Sequence, residues 1–97
     1  MEIDIKNLIP LINNIKIIDI RDAYKYNLGH IPTSQNINVN YLEQTPEEYL
    51  KKNRTYYLYC EYGEISKKLC TLLMQKGYRV INIKKGYIGY CLYQKRL

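Results

Sequence analysis

Thr55-Tyr56-Tyr57-Leu58-Tyr59-Cys60-Glu61-Tyr62-Gly63-Glu64-Ile65-Ser66 begins as a run of aromatic and apolar residues and ends in a short polar loop around one glycine. The run from Thr55 to Tyr59 has the composition and length of a buried strand. From Ser66 to Lys76, Leu69, Leu72 and Leu73 recur at helical spacing, and Gly77 supplies a helix-ending residue. Cys60 therefore stands where a strand turns through a loop into a helix. A tight loop about Gly63 can turn successive N–H groups inward, and the free N–H groups and positive dipole end of the helix add to them. That setting favours a thiolate, which is the nucleophilic form of cysteine, and the same cradle would hold anionic oxygens of a substrate.

Working outward, Lys16-Ile17-Ile18-Asp19-Ile20 and Arg79-Val80-Ile81-Asn82-Ile83 read as two further buried strands, and Ile3 to Ile5 as a short edge strand. A helix is predicted from about Lys6 to Asn13 with Leu8, Ile9 and Ile12 inward. Another is predicted to open at Pro46-Glu47-Glu48, where proline and acids suit a first turn, and a last one to contain Cys91. Strand and helix alternate throughout. This order predicts a three-layer α/β fold with a mostly parallel sheet of four or five strands and helices on both faces. In such sheets ligands bind at the C-terminal ends of strands, which is where Cys60 falls.

The 97 residues form one core, hence a single domain over 1–97. Hydrophobic residues at 46% and charged residues at 25% exclude disorder, collagen and coiled coil. No apolar run approaches the roughly 20 residues of a membrane helix, and Leu8-Ile9-Pro10-Leu11-Ile12 is short and interrupted. Met1 to Lys6 alternates charge with isoleucine, unlike a signal peptide, so the expectation is a cytoplasmic protein. Cys60, Cys70 and Cys91 lack CxxC spacing and the sole histidine is His30, so free thiols are expected rather than disulfides or a metal site. Twelve tyrosines stand with no phenylalanine or tryptophan, a compositional habit rather than a function. The net charge of +6 is unevenly spread, with residues 1–50 at −3 and residues 51–97 at +9. Solvated lysines account for that field, which would also attract an anion, nucleic acid or an acidic protein patch.

These residues, in this order, resemble the single-domain rhodaneses, a sulfurtransferase family, from about Ile18 to Tyr90. Ile18-Asp19-Ile20-Arg21 corresponds to the family's hydrophobic-Asp-Val-Arg, and Gly29-His30-Ile31-Pro32 to its Gly-His-Ile-Pro. Asn36-Ile37 stands where a short strand follows; Tyr59-Cys60, Gly63 and Ser66 match Tyr-Cys-x-x-Gly-x-x-Ser; Gly77-Tyr78-Arg79-Val80 is similar to Gly-Phe-x-Val. The resemblance implies a rhodanese fold in which Cys60 accepts a sulfane sulfur as a persulfide and passes it to a nucleophile. The amides of the loop, Glu61, Tyr62, Gly63, Glu64, Ile65 and Ser66, would stabilise the charged sulfur. It implies no cofactor or metal. The expected partners are a small sulfur-donor anion such as thiosulfate, or a persulfide-carrying protein, and an acceptor thiol or protein; neither membrane nor nucleic acid is expected.

The chain departs from this family where relatives carry loop arginine or lysine for thiosulfate: here stand Glu61 and Glu64, with Ile65 at a frequent arginine position. An anionic donor should bind less well, although Lys67 and Lys68 lie just beyond. After the last strand, Lys85-Gly86 and Tyr90 replace the usual Gly-Gly and Trp. Cys60-Glu61-Tyr62 also resembles the Cys-Glu-Phe of dual-specificity phosphatases that activate cell-cycle kinases. Those need a longer loop and an arginine six residues on, and Ser66 holds that position, which argues against phosphate transfer. Asp19 and Arg21 read as an ion pair tying the loops, and His30 as a structural hydrogen-bonding residue. Cys70 and Cys91 read as packed thiols. Tyr62 either flanks the pocket or faces solvent. The acidic loop leaves an alternative function open, a catalytically weak or inactive rhodanese-like module that docks a protein or RNA through the basic half.

Overall fold

Apolar strands with large side chains on both faces need cover on both faces. In the computed structural model, which describes residues 1–96, five strands receive it. They are β1 (Glu2–Ile3), β2 (Lys16–Asp19), β3 (Gln35–Asn36), β4 (Thr55–Tyr59) and β5 (Arg79–Ile83). All pair in parallel, in the order β1-β5-β4-β2-β3. The helices are α1 (Ile5–Leu8), α2 (Ala23–Leu28), α3 (Val39–Gln44), α4 (Glu64–Gln75) and α5 (Gly86–Lys95). The two-residue period of β4 sends Tyr56, Leu58 and Cys60 to one face and Tyr57 and Tyr59 to the other. The first face packs on Leu42 of α3 and Leu69, Cys70 and Leu73 of α4; the second packs on Ile5 and Leu8 of α1 and Tyr87, Tyr90 and Tyr93 of α5. Leu8, Leu42, Leu58 and Leu73 are fully buried, each contributing about 2 kcal/mol of transfer free energy as an upper bound.

Four local readings are corrected. Residues Pro46–Glu48 make only a single 3-10 turn, closed by Tyr49 N and Leu50 N on Pro46 O. Leu50 is buried directly after it, and only Lys51–Arg54 remain to reach β4, so no helix can extend. The helix of that region is α3, started earlier by Asn38, whose side chain accepts from Asn40 N at 3.0 Å. The helix expected over Lys6–Asn13 stops at Leu8 and continues as a 3-10 turn, Ile9–Leu11, because Pro10 has no N–H to donate. The first strand is Glu2–Ile3 rather than Ile3–Ile5, and α4 starts at Glu64 rather than Ser66.

The topology fixes one crevice. The chain leaves β2 toward β3 on one side and leaves β4 toward β5 on the other, so the connections diverge between β2 and β4. Asp19 pairs with Tyr59 there, and Ile20 N donates to Tyr59 O at 3.0 Å. Residues just after the two strands, Arg21 and Cys60, are thereby brought to the same edge. Among the described residues no helix is long and apolar enough to cross a membrane.

Candidate active site

Gly63 has φ +95°, a left-handed conformation that only glycine adopts cheaply, and it serves as the N-cap of α4. The reversal turns the Cys60–Gly63 loop back over its own cysteine. Cys60 Sγ accepts from Gly63 N at 3.1 Å and from Ser66 N at 3.3 Å, and Ser66 Oγ lies 3.3 Å away. Cys60 is 5% exposed. Two fixed N–H donors and the positive end of a twelve-residue helix thus meet at one sulfur. Glu64, Ile65 and Ser66 are the first turn of that helix and not loop residues, a further consequence of Gly63 being the cap. The resting sulfur is contacted by the Gly63 and Ser66 amides and not by those of Glu61, Tyr62, Glu64 or Ile65.

Two supports that sequence reasoning missed hold this loop. From outside, α5 caps it: Tyr87 N donates to Cys60 O at 2.9 Å and Ile88 N to Glu61 O at 3.0 Å. The approach is close enough that a side chain on Gly86 (φ +57°) would strike Cys60 O and Glu61 O, and one on Gly63 would strike Lys85 N. From beneath, Asn82 of β5, 1% exposed, donates through Nδ2 to Gly63 O at 3.1 Å and to Glu2 Oε2 at 3.0 Å, while Oδ1 accepts from Ser66 Oγ. With the serine proton directed to Asn82, the two backbone amides are the constant donors to sulfur. The bond from Asn82 also holds the Glu2 carboxyl below the ordinary carboxylate range. The available signal for Asn82 was a lone amide within an apolar strand.

Asp19 and Arg21 form the ion pair that the sequence indicates, at 2.7 Å, with both side chains almost wholly buried. Arg21 Nε and one terminal nitrogen engage the Asp19 carboxylate, that nitrogen also donates to Gly29 O at 2.7 Å, and the other donates to Glu61 Oε1 at 2.9 Å. Its guanidinium lies 4.3 Å from the Tyr87 ring centre. Burial works against the charge, but the bonds to Asp19 and Glu61 outweigh it and raise the Arg21 pKa. Lys25 Nζ stands 3.6 Å from Glu61 Oε2.

A cleft of about 260 Å³ opens beside the cysteine, lined by Arg21, Lys25, Asn38, Cys60, Glu61 and Ile65 among others. A groove of about 580 Å³ runs along β3 past Tyr41 and Tyr49. It holds no thiol, so chemistry rather than volume marks the smaller cleft as the candidate site. Glu64 and Tyr62 do not line that cleft, and Tyr62 is 69% exposed and faces solvent. His30 is exposed, stacks on Tyr26 with ring centres 3.8 Å apart, and its Nδ1–H donates to Tyr26 O at 2.8 Å. Cys70 is packed in the core, where burial pushes its thiol up to about 12. All three cysteines are free. No group of three or more potential metal ligands occurs among the described residues.

The rhodanese-like domain family matches residues 4–92. A sulfurtransferase of Allochromatium vinosum is 31% identical over 78 residues, which cover 79% of this chain and 72% of the relative. A tRNA uridine(34) hydroxylase of Buchnera aphidicola subsp. Baizongia pistaciae is 32% identical over 93 residues, 90% of this chain but 30% of that protein. The chain spans about a third or less of the hydroxylase relatives it matches. Among solved structures, a protein of Staphylococcus saprophyticus superposes with a TM-score of 0.77 at 29% identity, covering 89% of each chain.

Proposed function

The chain belongs to the rhodanese-like domain family, and on that membership and the geometry at Cys60 we propose that it is a sulfurtransferase of the thiosulfate:cyanide class working through a Cys60 persulfide. The observation that carries this reading is the pair of N–H donors from Gly63 and Ser66 aimed at one sulfur. In the first step the Cys60 thiolate attacks the outer sulfur of a donor such as thiosulfate. A sulfur–sulfur bond forms, the donor's own sulfur–sulfur bond breaks, and sulfite leaves with the electron pair. An acceptor nucleophile, cyanide in the simplest assay, then takes the terminal sulfur and returns Cys60 as thiolate. The negative charge stays on sulfur throughout, which is what a cradle of amides and a helix N-terminus can stabilise without proton transfer. Arg21, held by Asp19 at the end of β2 and bonded to Glu61 just after β4, ties the two strand ends together and so keeps the cradle in place. Partners consistent with the cleft are a small sulfane donor or a persulfide-carrying protein, and an acceptor thiol or protein. A reducing cytoplasm, where free thiols such as these persist, is the compartment in keeping with this chemistry.

Thiocyanate formation from thiosulfate and cyanide tests the reading. Cys60→Ser should reduce it to the uncatalysed rate, and Cys70→Ser should leave it in place. Activity retained in Cys60→Ser would overturn the mechanism.

A second reading is favoured by the relatives named tRNA uridine(34) hydroxylase, 30–32% identical to this chain. Under it, the Cys60 site serves the hydroxylation of a tRNA uridine, with dioxygen as oxidant giving one oxygen atom to the base and an added two-electron reductant taking the other to water. Nucleoside mass spectrometry after incubation with unmodified tRNA separates the two: Cys60-dependent hydroxyuridine supports the second reading, and thiocyanate formation without it supports the first.

A further inference from the structure

The acidic residue in the loop is not a bystander to the cations around the site. Glu61 turns its carboxylate across the cleft, taking Arg21 on Oε1 at 2.9 Å and Lys25 near Oε2 at 3.6 Å. The other charged side chain lining the cleft is Asp22, which caps α2 by accepting from Lys25 N at 2.9 Å. The side chains of the cleft walls therefore carry two cations against two carboxylates, and an entering anion meets no net attraction from them. Arg21 is fixed by Asp19 and Gly29 O and cannot turn to a ligand. Lys25 differs: its side chain is 48% exposed, Glu61 is its one ionic partner among the described residues, and its flexible stem lines the same cleft as Cys60.

Resting on the sulfurtransferase reading, we propose that Glu61 is a donor-selecting residue, which neutralises Lys25 at the cleft wall and so disfavours strongly anionic sulfur donors. The negative charge that matters for donor choice is then the one inside the cleft, at Glu61, and not the exposed Glu64. Removing that charge while keeping the hydrogen bond to Arg21 should hand Lys25 to the donor. A net positive charge within a few ångströms of a dianion is strong enough to dominate binding at the effective dielectric of a protein surface.

The test is steady-state kinetics of Glu61→Gln, Lys25→Ala and the double variant with two donors of different charge, the dianion thiosulfate and the monoanion methanethiosulfonate. In Glu61→Gln the KM for thiosulfate should fall about tenfold at low ionic strength and that for methanethiosulfonate about threefold, with kcat changing less. High salt should erase the difference. Adding Lys25→Ala should abolish the gain, and alone it should raise the thiosulfate KM, since Glu61 then faces the donor with one cation fewer. A residue that merely braced the loop would lower kcat for both donors alike. That result, an unmoved thiosulfate KM in Glu61→Gln, or a gain that survives Lys25→Ala, would overturn the assignment. If polysulfide does not load Cys60 in the unaltered protein, the sulfurtransferase reading falls, and this proposal with it; loading by polysulfide without the KM shifts contradicts the role of Glu61 alone.

Discussion

Asn82 joins three parts of the molecule with one side chain: Gly63 O and Ser66 Oγ of the site and Glu2 of the edge strand. Asn82→Leu would keep the branched shape but take one hydrogen bond each from Gly63 O, which retains Lys67 N, and from Ser66 Oγ, which retains the longer contacts to Gly63 O and Cys60 Sγ, at a cost of about 1–2 kcal/mol. Urea denaturation should show that loss, and the rate of persulfide formation should drop because the Gly63 and Ser66 donors are no longer braced. A change within about 0.5 kcal/mol would mean that water replaces the amide. The Glu2 contribution has a definite sign. Its folded-state pKa is depressed, so its stabilisation is present above the ordinary value of 4.5 and lost as pH falls below it; Asn82→Leu should lack this acid-side loss. At this scale the sequence was informative where partners are close along the chain. Cys60, Gly63 and Ser66 lie within seven residues, and Asp19 and Arg21 are two apart. Asn82 finds its partners only after the sheet forms, so nothing local marks its role.

Between elements, the important contact is the N-terminus of α5 seated on the Cys60 loop. Gly86 makes it possible: a Cβ there meets backbone oxygen atoms that cannot withdraw, and φ is +57°. Gly77, also left-handed at φ +94°, has as its nearest neighbour the end of the exposed Lys52 side chain, at an ordinary contact distance of 3.7 Å. Gly86→Ala should therefore displace the loop, cutting the rate of persulfide formation by about tenfold or more and costing over about 2 kcal/mol. Gly77→Ala should cost about 1 kcal/mol of strain and leave the rate intact. Rates and melting temperatures of the pair check this, and equal rates would show that the α5 contact does not shape the cradle. The strands at the sheet's centre were legible from their composition, and the leucine spacing gave α4. The connection from Asn38 to Arg54 was not, because proline with two acids is a start signal whether or not apolar residues follow to sustain a helix. In Glu47–Arg54 only Leu50 is buried.

Across the whole molecule, sheet order does what no single motif can. Divergence of the chain between β2 and β4 places Arg21 and Lys25, from one half of the sequence, against Cys60 and Glu61 from the other. The sequence-wide charge of +6 says little about this cleft, whose own walls balance. The parallel sheet was readable from alternating elements, and the cysteine's place at a strand end from one loop; the charge balance needed the fold. The account rests on Cys60 carrying sulfur, and intact-mass measurement after polysulfide treatment tests that most directly. The protein should gain one sulfur atom, cyanide should remove it as thiocyanate, and Cys60→Ser should gain none while Cys70→Ser and Cys91→Ser behave as the unaltered chain. A sulfur adduct of the same size on Cys60→Ser, or none on the unaltered protein, would contradict it.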